Sequence, residues 1–220
     1  MKKEKDSTTE EKILIAAEKL FYEKGYAMTH TTDIAKEAGC NQALVHYYFR
    51  SKERLFDSFF ENKMKLFISE FISAGNEEKS FKDRLTKKIE AHFDILRENP
   101  RLPFLLFNEI STNPKRLANI RSNIGELPGK LLSKLDKELK ELSSQGEIQK
   151  IEAIDLMLTI ISLNAIMFIA DPIIRTMTNS NDKKFNKMLD QRREENVKTI
   201  LARLQPPHPR DNPRGKVSND

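Results

Sequence analysis

The sequence predicts an all-α protein, and two observations support this fold class. Only seven glycines and nine prolines occur in 220 residues, and five of the prolines lie at or beyond Pro172. Residues 10–170 therefore contain few of the breakers that separate short strands. Apolar residues in this range recur at intervals of three and four, as one face of an α-helix requires. The pattern predicts about nine helices and no convincing strand.

The first 74 residues hold four predicted helices, at residues 9–24, 34–38, 42–49 and 52–74. Gly25 and Gly39 end the first two, because glycine adopts the left-handed conformation that commonly follows a helix C-terminus. Ser51 is a good N-cap for the fourth helix.

The remaining helices are predicted at residues 81–96, 101–110, 131–142, 151–170 and 185–204. The stretch from Leu156 to Ala170 is the most apolar, but its 15 residues are fewer than the roughly 20 that span a membrane. A helix that is apolar on nearly every side is otherwise a buried one. Pro172 is expected to kink or end this helix. We therefore expect no membrane association.

The net charge of +5 suggests an acidic partner, but residues 1–60 hold equal numbers of basic and acidic side chains. A case for nucleic-acid binding must therefore rest on local geometry. The single cysteine, Cys40, cannot form an internal disulfide and fits a reducing cytosol. Its ordinary interpretation is a small hydrophobic residue. No apolar run follows the N-terminal lysines, so we expect a cytoplasmic protein without a secretory signal.

Nothing in the sequence favours an enzyme. Scattered acids such as Glu109 and Asp155 have no visible pairing with His or Ser, and no Gly-rich phosphate loop is present. His92 has no cysteine or second histidine at metal-ligand spacing. We therefore expect neither a catalytic site, nor a metal, nor a cofactor.

The segment from Asp33 to Phe56 combines two short helices with a tight turn at residues 38–40. This arrangement is typical of a helix-turn-helix, whose second helix lies in the major groove of DNA. The second helix leaves glutamine, histidine and tyrosine side chains available for base edges and phosphates. An ordinary helical hairpin with a polar surface has the same pattern, so the geometry alone leaves both interpretations open.

Residues 12–56 also carry a specific set of short motifs. These are a small-residue pair before Leu-Phe, then Lys-Gly-Tyr, a Thr, Asp-Ile-Ala, Ala-Gly, an aromatic pair before Phe, and Ser-Lys-Glu with a following Leu. The matching positions are Ala16, Ala17, Leu20, Phe21, Lys24, Gly25, Tyr26, Thr29, Asp33, Ile34, Ala35, Ala38, Gly39, Tyr48, Phe49, Ser51, Lys52, Glu53 and Leu55. With them, the stretch resembles the N-terminal domain of TetR/AcrR-family transcriptional regulators. The resemblance does not extend by motif beyond residue 60.

The resemblance implies DNA binding as a homodimer and a helical C-terminal domain that binds a ligand. We expect a repressor that an unknown small apolar or cationic effector releases from a palindromic operator. The expected organisation is a flexible tail (1–8), a helix-turn-helix DNA-binding domain (9–52), a ligand-binding and dimerisation domain (53–204) and a disordered Pro-rich tail (205–220). The alternative is an architectural or assembly protein of the same fold with no inducer.

The helix-turn-helix geometry and the resemblance together predict the DNA contacts. Gln42, His46 and Tyr47 are expected to read bases, while others hold phosphates. The full set is Thr31, Thr32, Gln42, Ala43, His46, Tyr47, Tyr48 and Lys52. One departure from the family pattern is His30, which replaces the usual capping Ser or Thr ahead of Asp33. Either Thr29 or Thr31 is then expected to cap that helix.

The resemblance also implies a hollow second domain that holds a small molecule. The expected ligand contacts are Phe67, Phe71, Phe93, Phe104, Phe107, Met157, Asn164 and Phe168. The expected dimer contacts, on the last two long helices, are Ile160, Met167, Val197, Ile200, Leu201 and Leu204. Asn164 is the one polar group of its buried run that needs a partner. A ligand, a neighbouring backbone or the dimer mate could supply it.

Overall fold

The computed structural model describes residues 8–115, 118, 122 and 125–206. Within these residues it contains ten helices and no strand, so the all-α prediction is confirmed. The helices are α1 (Thr9–Met28), α2 (Thr31–Glu37), α3 (Gln42–Phe49), α4 (Lys52–Ser73), α5 (Phe81–Glu98), α6 (Leu102–Thr112), α7 (Leu127–Ser144), α8 (Ala153–Ile169), α9 (Asp171–Thr178) and α10 (Asp182–Leu204). The tails predicted for residues 1–8 and 205–220 lie outside the described residues, except for Thr8, Gln205 and Pro206.

Short-range signals set the helix ends in the N-terminal part. Thr8 and Glu11 form a capping box at the start of α1, each side chain accepting the other's backbone N–H. The α1 helix is kinked at Gly25, whose φ of 74° lies in the left-handed region. Ser51 caps α4 by accepting from the N–H of Arg54 at 3.2 Å, as the sequence predicts.

Pro172 accounts for one helix beyond the predicted nine. It occupies the first turn of α9, where a missing N–H costs nothing, and so begins a helix after the break at Ala170. No single helix in the described part of the chain is long and apolar enough to cross a membrane. The pair α8 and α9 passes that test of length and composition only together, with a bend of 65°.

The chain divides into two compact units. Unit 1 comprises Met1–Ala74 with Asp94–Asn123, and unit 2 comprises Gly75–Phe93 with Ile124–Asp220. Unit 1 therefore contains α1 to α4 and α6, and unit 2 contains α7 to α10. The α5 helix contributes residues to both units.

The core of unit 1 is built around aromatic side chains of α1 and α4. Phe21 meets Phe56 edge-on with ring centroids 4.9 Å apart, and Tyr22 meets Phe59 in the same way at 5.6 Å. The α6 helix adds Leu102 and Leu105 to this core, which also buries the inward residues of α2 and α3. The short helices are thus held in place by α1 and α4 rather than by their own length.

The core of unit 2 is aliphatic and lies between α5, α7, α8 and α10. Its buried members are Leu85, Ile89, Leu139, Ala153, Leu156, Ile160, Ile200 and Leu204. Gly75, with a φ of 73°, lies at the start of this unit, where an added Cβ would come within 3.0 Å of the Arg84 backbone. That close approach requires glycine at this turn.

Candidate DNA-binding site

The helix α3 is held against the core of unit 1 by its buried side chains. Val45 and Phe49 are buried in the core of unit 1, and Leu44 is partly buried against it. Gly39, with a φ of 67°, forms the turn before α3, and Asn41 caps the helix by accepting from the N–H of Leu44 at 2.9 Å. These three side chains thus hold α3 in place against the core.

The opposite face of α3 is exposed and carries side chains suited to base edges. The exposed residues are Gln42, Ala43, His46, Tyr47 and Tyr48. Gln42 Nε2 donates to Thr31 Oγ1 at 3.1 Å and lies 3.4 Å from His46 Nε2, so a hydrogen-bonded chain joins α2 to α3. This chain orders the glutamine amide, which is the side-chain group that pairs with adenine.

The predicted contacts on α2 and α4 are placed differently. Thr32 is exposed at the start of α2, whereas Thr31 and Lys52 are half-buried. Lys52 Nζ donates to the carbonyl oxygens of Tyr26 (3.0 Å) and Ala27 (3.5 Å), and lies 4.3 Å from the Tyr26 ring centroid. Its ammonium group therefore ties α4 to the end of α1, a structural role that the sequence did not predict.

The expectation that Thr29 or Thr31 caps α2 is wrong. The residue at the cap position is His30, which makes no side-chain capping bond. Thr29 is fully buried, and its hydroxyl bonds instead to the carbonyl oxygens of Leu20 (3.2 Å) and Gly25 (2.7 Å). Thr31 lies inside the helix, with its hydroxyl accepting from Gln42. The start of α2 is thus held by its packing and not by a cap.

Arg50 forms a strained turn between α3 and α4. Its φ of 65° and ψ of −42°, with the N–H of Ser51 donating to the carbonyl of Phe49 at 2.6 Å, define a γ-turn with positive φ. This conformation is rare for a residue with a Cβ and costs conformational energy. Such strain is typical of sites where the backbone is positioned for function.

We expect Arg50→Gly to raise the free energy of unfolding by about 1 kcal/mol, because glycine adopts positive φ without the Cβ penalty. The measurement is urea denaturation. Arg50→Ala is the matched control, since it removes the guanidinium group but keeps the strain. Equal stability of the two variants would contradict the assignment of strain to this turn.

We expect Gln42→Ala to cost roughly 1–3 kcal/mol of affinity for the operator and to relax the preference at one base pair. Gln42 is exposed and held by Thr31, so the substitution removes the amide that we expect to contact a base and leaves the core undisturbed. The measurement is a binding titration on operator and on random DNA of equal length. An equal loss on both DNAs would show that Gln42 does not read sequence.

Unit 2 contains four of the eight predicted ligand contacts. Phe93 and Phe168 are buried with ring centroids 5.4 Å apart, Asn164 is fully buried, and Met157 is half-buried. The other four lie in unit 1. Of these, Phe67 and Phe71 on α4 are half-buried, and Phe104 and Phe107 are on α6.

Phe104 and Phe107 require a correction, because as predicted ligand contacts they were expected in the interior of the second domain. Their side chains are 59% and 65% exposed. The α6 helix buries Leu102, Leu105 and Glu109 along one face, which leaves the two phenylalanines on the opposite face. The helix is apolar on both sides, so its periodicity did not show which side is buried.

Asn164 finds its partners within unit 2. Its Nδ2 donates to the carbonyl oxygen of Ile89 and to His92 Nδ1, both at 3.0 Å, while its Oδ1 accepts from Asn196 Nδ2 at 2.8 Å. Of the three partners that the sequence left open, the neighbouring backbone is observed, at Ile89, whereas the side-chain partners His92 and Asn196 were not predicted. Burial lowers the pKa of His92 to about 4, which keeps the ring neutral.

Four of the six predicted dimer contacts are buried in their own chain, which is a second correction. Ile160, Met167, Ile200 and Leu204 are at most 7% exposed, while the remaining pair, Val197 and Leu201, pack partly buried against the core of unit 2. Side chains already covered by their own unit cannot form the centre of an interface between chains.

A different face of α8 is apolar and open. Ile154, Leu158 and Ile161 follow each other at intervals of four and three and are 42–56% exposed. These three residues are called the α8 stripe below. On α9, Ile173 and Met177 are also exposed, one turn apart. Contiguous apolar surface of this kind commonly marks a contact with another chain.

Asn196 is the residue of unit 2 that the sequence interpretation missed. It is 1% exposed, and its Nδ2 donates to the carbonyl of Leu163 at 3.0 Å as well as to Asn164. Its buried position could in principle be predicted from the sequence. It lies in the buried stripe of α10 between Leu189 and Ile200, at offsets of seven and four residues, where a polar side chain interrupts an apolar pattern. Within the described residues no group of three metal-ligating side chains occurs.

The fold and the exposed face of α3 define a helix-turn-helix DNA-binding protein, and comparison with known proteins gives its family. The family described as "Bacterial regulatory proteins, tetR family" matches residues 13–59, and the one described as "YsiA-like protein, C-terminal region" matches residues 60–201. The chain belongs to the tetR family of bacterial regulatory proteins. It is a transcriptional regulator and not an enzyme.

Two curated relatives and one solved structure extend the comparison. The chain is 30% identical over 176 residues to the "Fatty acid metabolism regulator protein" of Bacillus subtilis (strain 168), covering 79% of this chain and 85% of that protein. It is 26% identical over 110 residues to the "HTH-type transcriptional activator FasR" of Mycolicibacterium smegmatis, half of each chain. The structure of the fatty acid degradation regulator FadR from Bacillus halodurans shares the fold, with a TM-score of 0.64 and 20% identity. The match covers 88% of this chain and 97% of that chain.

Proposed function

We propose that the chain is a dimeric cytoplasmic repressor that a fatty-acid-derived effector releases from a palindromic operator. The observation that carries this proposal is the similarity to the Bacillus subtilis regulator of fatty acid metabolism, which covers 85% of that protein. The similarity therefore reaches beyond the DNA-binding helices, which alone would say nothing about the effector.

The chemistry of unit 2 supports an effector with an apolar body. Its interior combines aliphatic side chains with the Phe93 and Phe168 rings, and a small polar cluster of His92, Asn164 and Asn196 lies among them. Sites for small molecules are typically apolar with a few well-placed polar groups. Burial of a long acyl chain would release about 0.8 kcal/mol per methylene, which is enough for tight binding.

Coupling of the effector to DNA requires a change in the spacing of the recognition helices. In a dimer the two α3 helices must lie about 34–36 Å apart to enter successive major grooves. A hundredfold loss of operator affinity requires the effector to prefer the off-register state by about 2.7 kcal/mol. The α5 helix carries His92 in unit 2 and continues into unit 1, so one continuous element belongs to both units.

The test begins with genomic footprinting, which yields the operator and the neighbouring genes. Operator affinity is then titrated against fatty acids, fatty alcohols and fatty amides, against esters and thioesters of the same acids, and against cationic amphiphiles. We expect a fatty-acid derivative to weaken operator binding, and we expect Phe168→Leu to shift the effective concentration. Short-chain homologues are the control.

Two outcomes would redirect the proposal. If compounds that bind the protein leave operator affinity unchanged, the chain acts on DNA without an inducer, as an architectural protein does. If deletion of the gene lowers transcription from the operator, the protein is an activator, which is the activity named for its relative from Mycolicibacterium smegmatis.

A further inference from the structure

Three polar side chains meet in the interior of unit 2, one from each of three helices. They are His92 on α5, Asn164 on α8 and Asn196 on α10, and none is more than 4% exposed. The hydrophobic residues Ile160 and Ile200 lie one helical turn from the two asparagines and are fully buried. Polar groups in such surroundings destabilise a fold unless each finds a hydrogen-bond partner.

The amide hydrogens of the two asparagines are all used. Asn164 Nδ2 donates to Ile89 O and to His92 Nδ1. Asn196 Nδ2 donates to Leu163 O and to Asn164 Oδ1. Because an amide nitrogen only donates, His92 Nδ1 must be the acceptor. The hydrogen bonds thus run in one direction, from Asn196 through Asn164 to His92.

The first side chain in this series of hydrogen bonds has an acceptor without a partner among the described residues. Asn196 Oδ1 is buried and makes no hydrogen bond with any described residue. If the amide were turned over, its oxygen would lie against two other acceptors, Leu163 O and Asn164 Oδ1. The observed orientation is therefore the favourable one. Native proteins rarely leave such an atom unpaired, and an unpaired buried acceptor calls for an explanation.

A buried water is a poor partner for this oxygen. A water molecule in a protein interior typically needs two to four polar partners. Both amide nitrogens of the cluster have already given their hydrogens to other acceptors. A ligand that brings its own apolar surface and a single donor group matches the surroundings better, because its remaining atoms contact side chains such as Ile160 and Ile200.

We propose that Asn196 Oδ1 is the recognition point of the effector in unit 2, and that the effector is an apolar molecule carrying a hydrogen-bond donor. Hydroxyl, amide N–H and protonated carboxyl groups meet this requirement. Carboxylates, esters and ethers offer only acceptors and would face the oxygen with like partial charge. The inference rests on the proposed binding of a small molecule in unit 2 and specifies its polar group.

The probes are n-decanol and n-decyl methyl ether, which differ chiefly in the hydroxyl hydrogen. We expect the full-length protein to bind the alcohol roughly tenfold more tightly than the ether, as one hydrogen bond to a buried acceptor allows. Binding is measured by calorimetry, and the Asn196 side-chain amide is followed by ¹⁵N NMR. Its signals are expected to shift with the alcohol and not with the ether. Operator affinity is titrated in parallel.

A pair of variants separates recognition from stability. Asn196→Leu removes the acceptor, and it is expected to abolish the preference for the alcohol. Leu189→Ala is the matched control, because it removes buried contacts from the same face of α10 but leaves Asn196 intact. The control is expected to keep the preference. Because the comparison of probes uses the unmodified protein, a folding defect in Asn196→Leu does not remove the test.

Each outcome bears on the proposal. Equal affinity for the alcohol and the ether, or no binding of either, overturns it. A preference for the alcohol that disappears in Asn196→Leu and persists in Leu189→Ala supports it. If that preference is found while operator affinity never changes, the recognition point stands and the proposed effector-controlled repression fails.

Discussion

Leu158→Glu combined with Ile161→Glu is expected to convert the protein into monomers and to weaken operator binding by about a hundredfold or more. Both residues belong to the α8 stripe, and their side chains are 56% and 42% exposed. Symmetric dimers bury the same patch on both chains, so each substitution places two carboxylates in one interface. A monomer reads a single half-site and loses the gain of 10²–10⁴ that joining two binding modules provides.

Sedimentation velocity measures the oligomeric state, and a titration on the full operator measures the affinity. The matched control is Ser133→Glu with Lys137→Glu on α7, where both residues are exposed on a charged surface. The control is expected to remain dimeric, and thermal melts establish that both variants fold. If the α8 double variant stays dimeric and binds the operator normally, the interface lies on another face.

The choice of Leu158 and Ile161 also shows where sequence interpretation reached its limit. The α8 helix is apolar on nearly every side, so Ile160 and Ile161 look equivalent in the sequence. Only packing against α7 and α10 decides that Ile160 faces inward and Ile161 outward. The same ambiguity affected α6, where Leu105 is buried and Phe107 is exposed.

The N-terminal helices could be predicted more fully because their signals are local. Gly39 and Ser51 act within a few residues of their own positions, and the anchors Val45 and Phe49 follow from the spacing of one short helix. The partners of Lys52 could not be read in this way. Its ammonium bonds to backbone 25 and 26 residues earlier, a contact that exists only after α1 and α4 have packed.

Acidification is expected to destabilise the protein through His92. Burial lowers the pKa of His92 from its ordinary value of 6.5 to about 4 in the folded state. Between these two values the unfolded chain binds a proton that the folded chain does not, so the free energy of unfolding falls as the pH falls. The contribution of neutral His92 to the free energy of unfolding is fully present above pH 6.5 and is lost by about pH 4. A difference of this size corresponds to about 3 kcal/mol.

The hydrogen bonds explain why the folded state resists this proton. His92 Nδ1 accepts from Asn164 Nδ2, so a proton on Nδ1 would break that bond and place a charge in the core.

Urea denaturation at pH 7 and pH 4.5 measures the effect, and His92→Gln separates it from the titration of carboxylates. We expect the variant to lose less stability on acidification than the natural protein. His46→Gln, at an exposed position on α3, is the matched control and should lose as much as the natural protein. Equal losses in all three proteins would show that His92 takes up its proton as readily in the folded state as in the unfolded chain.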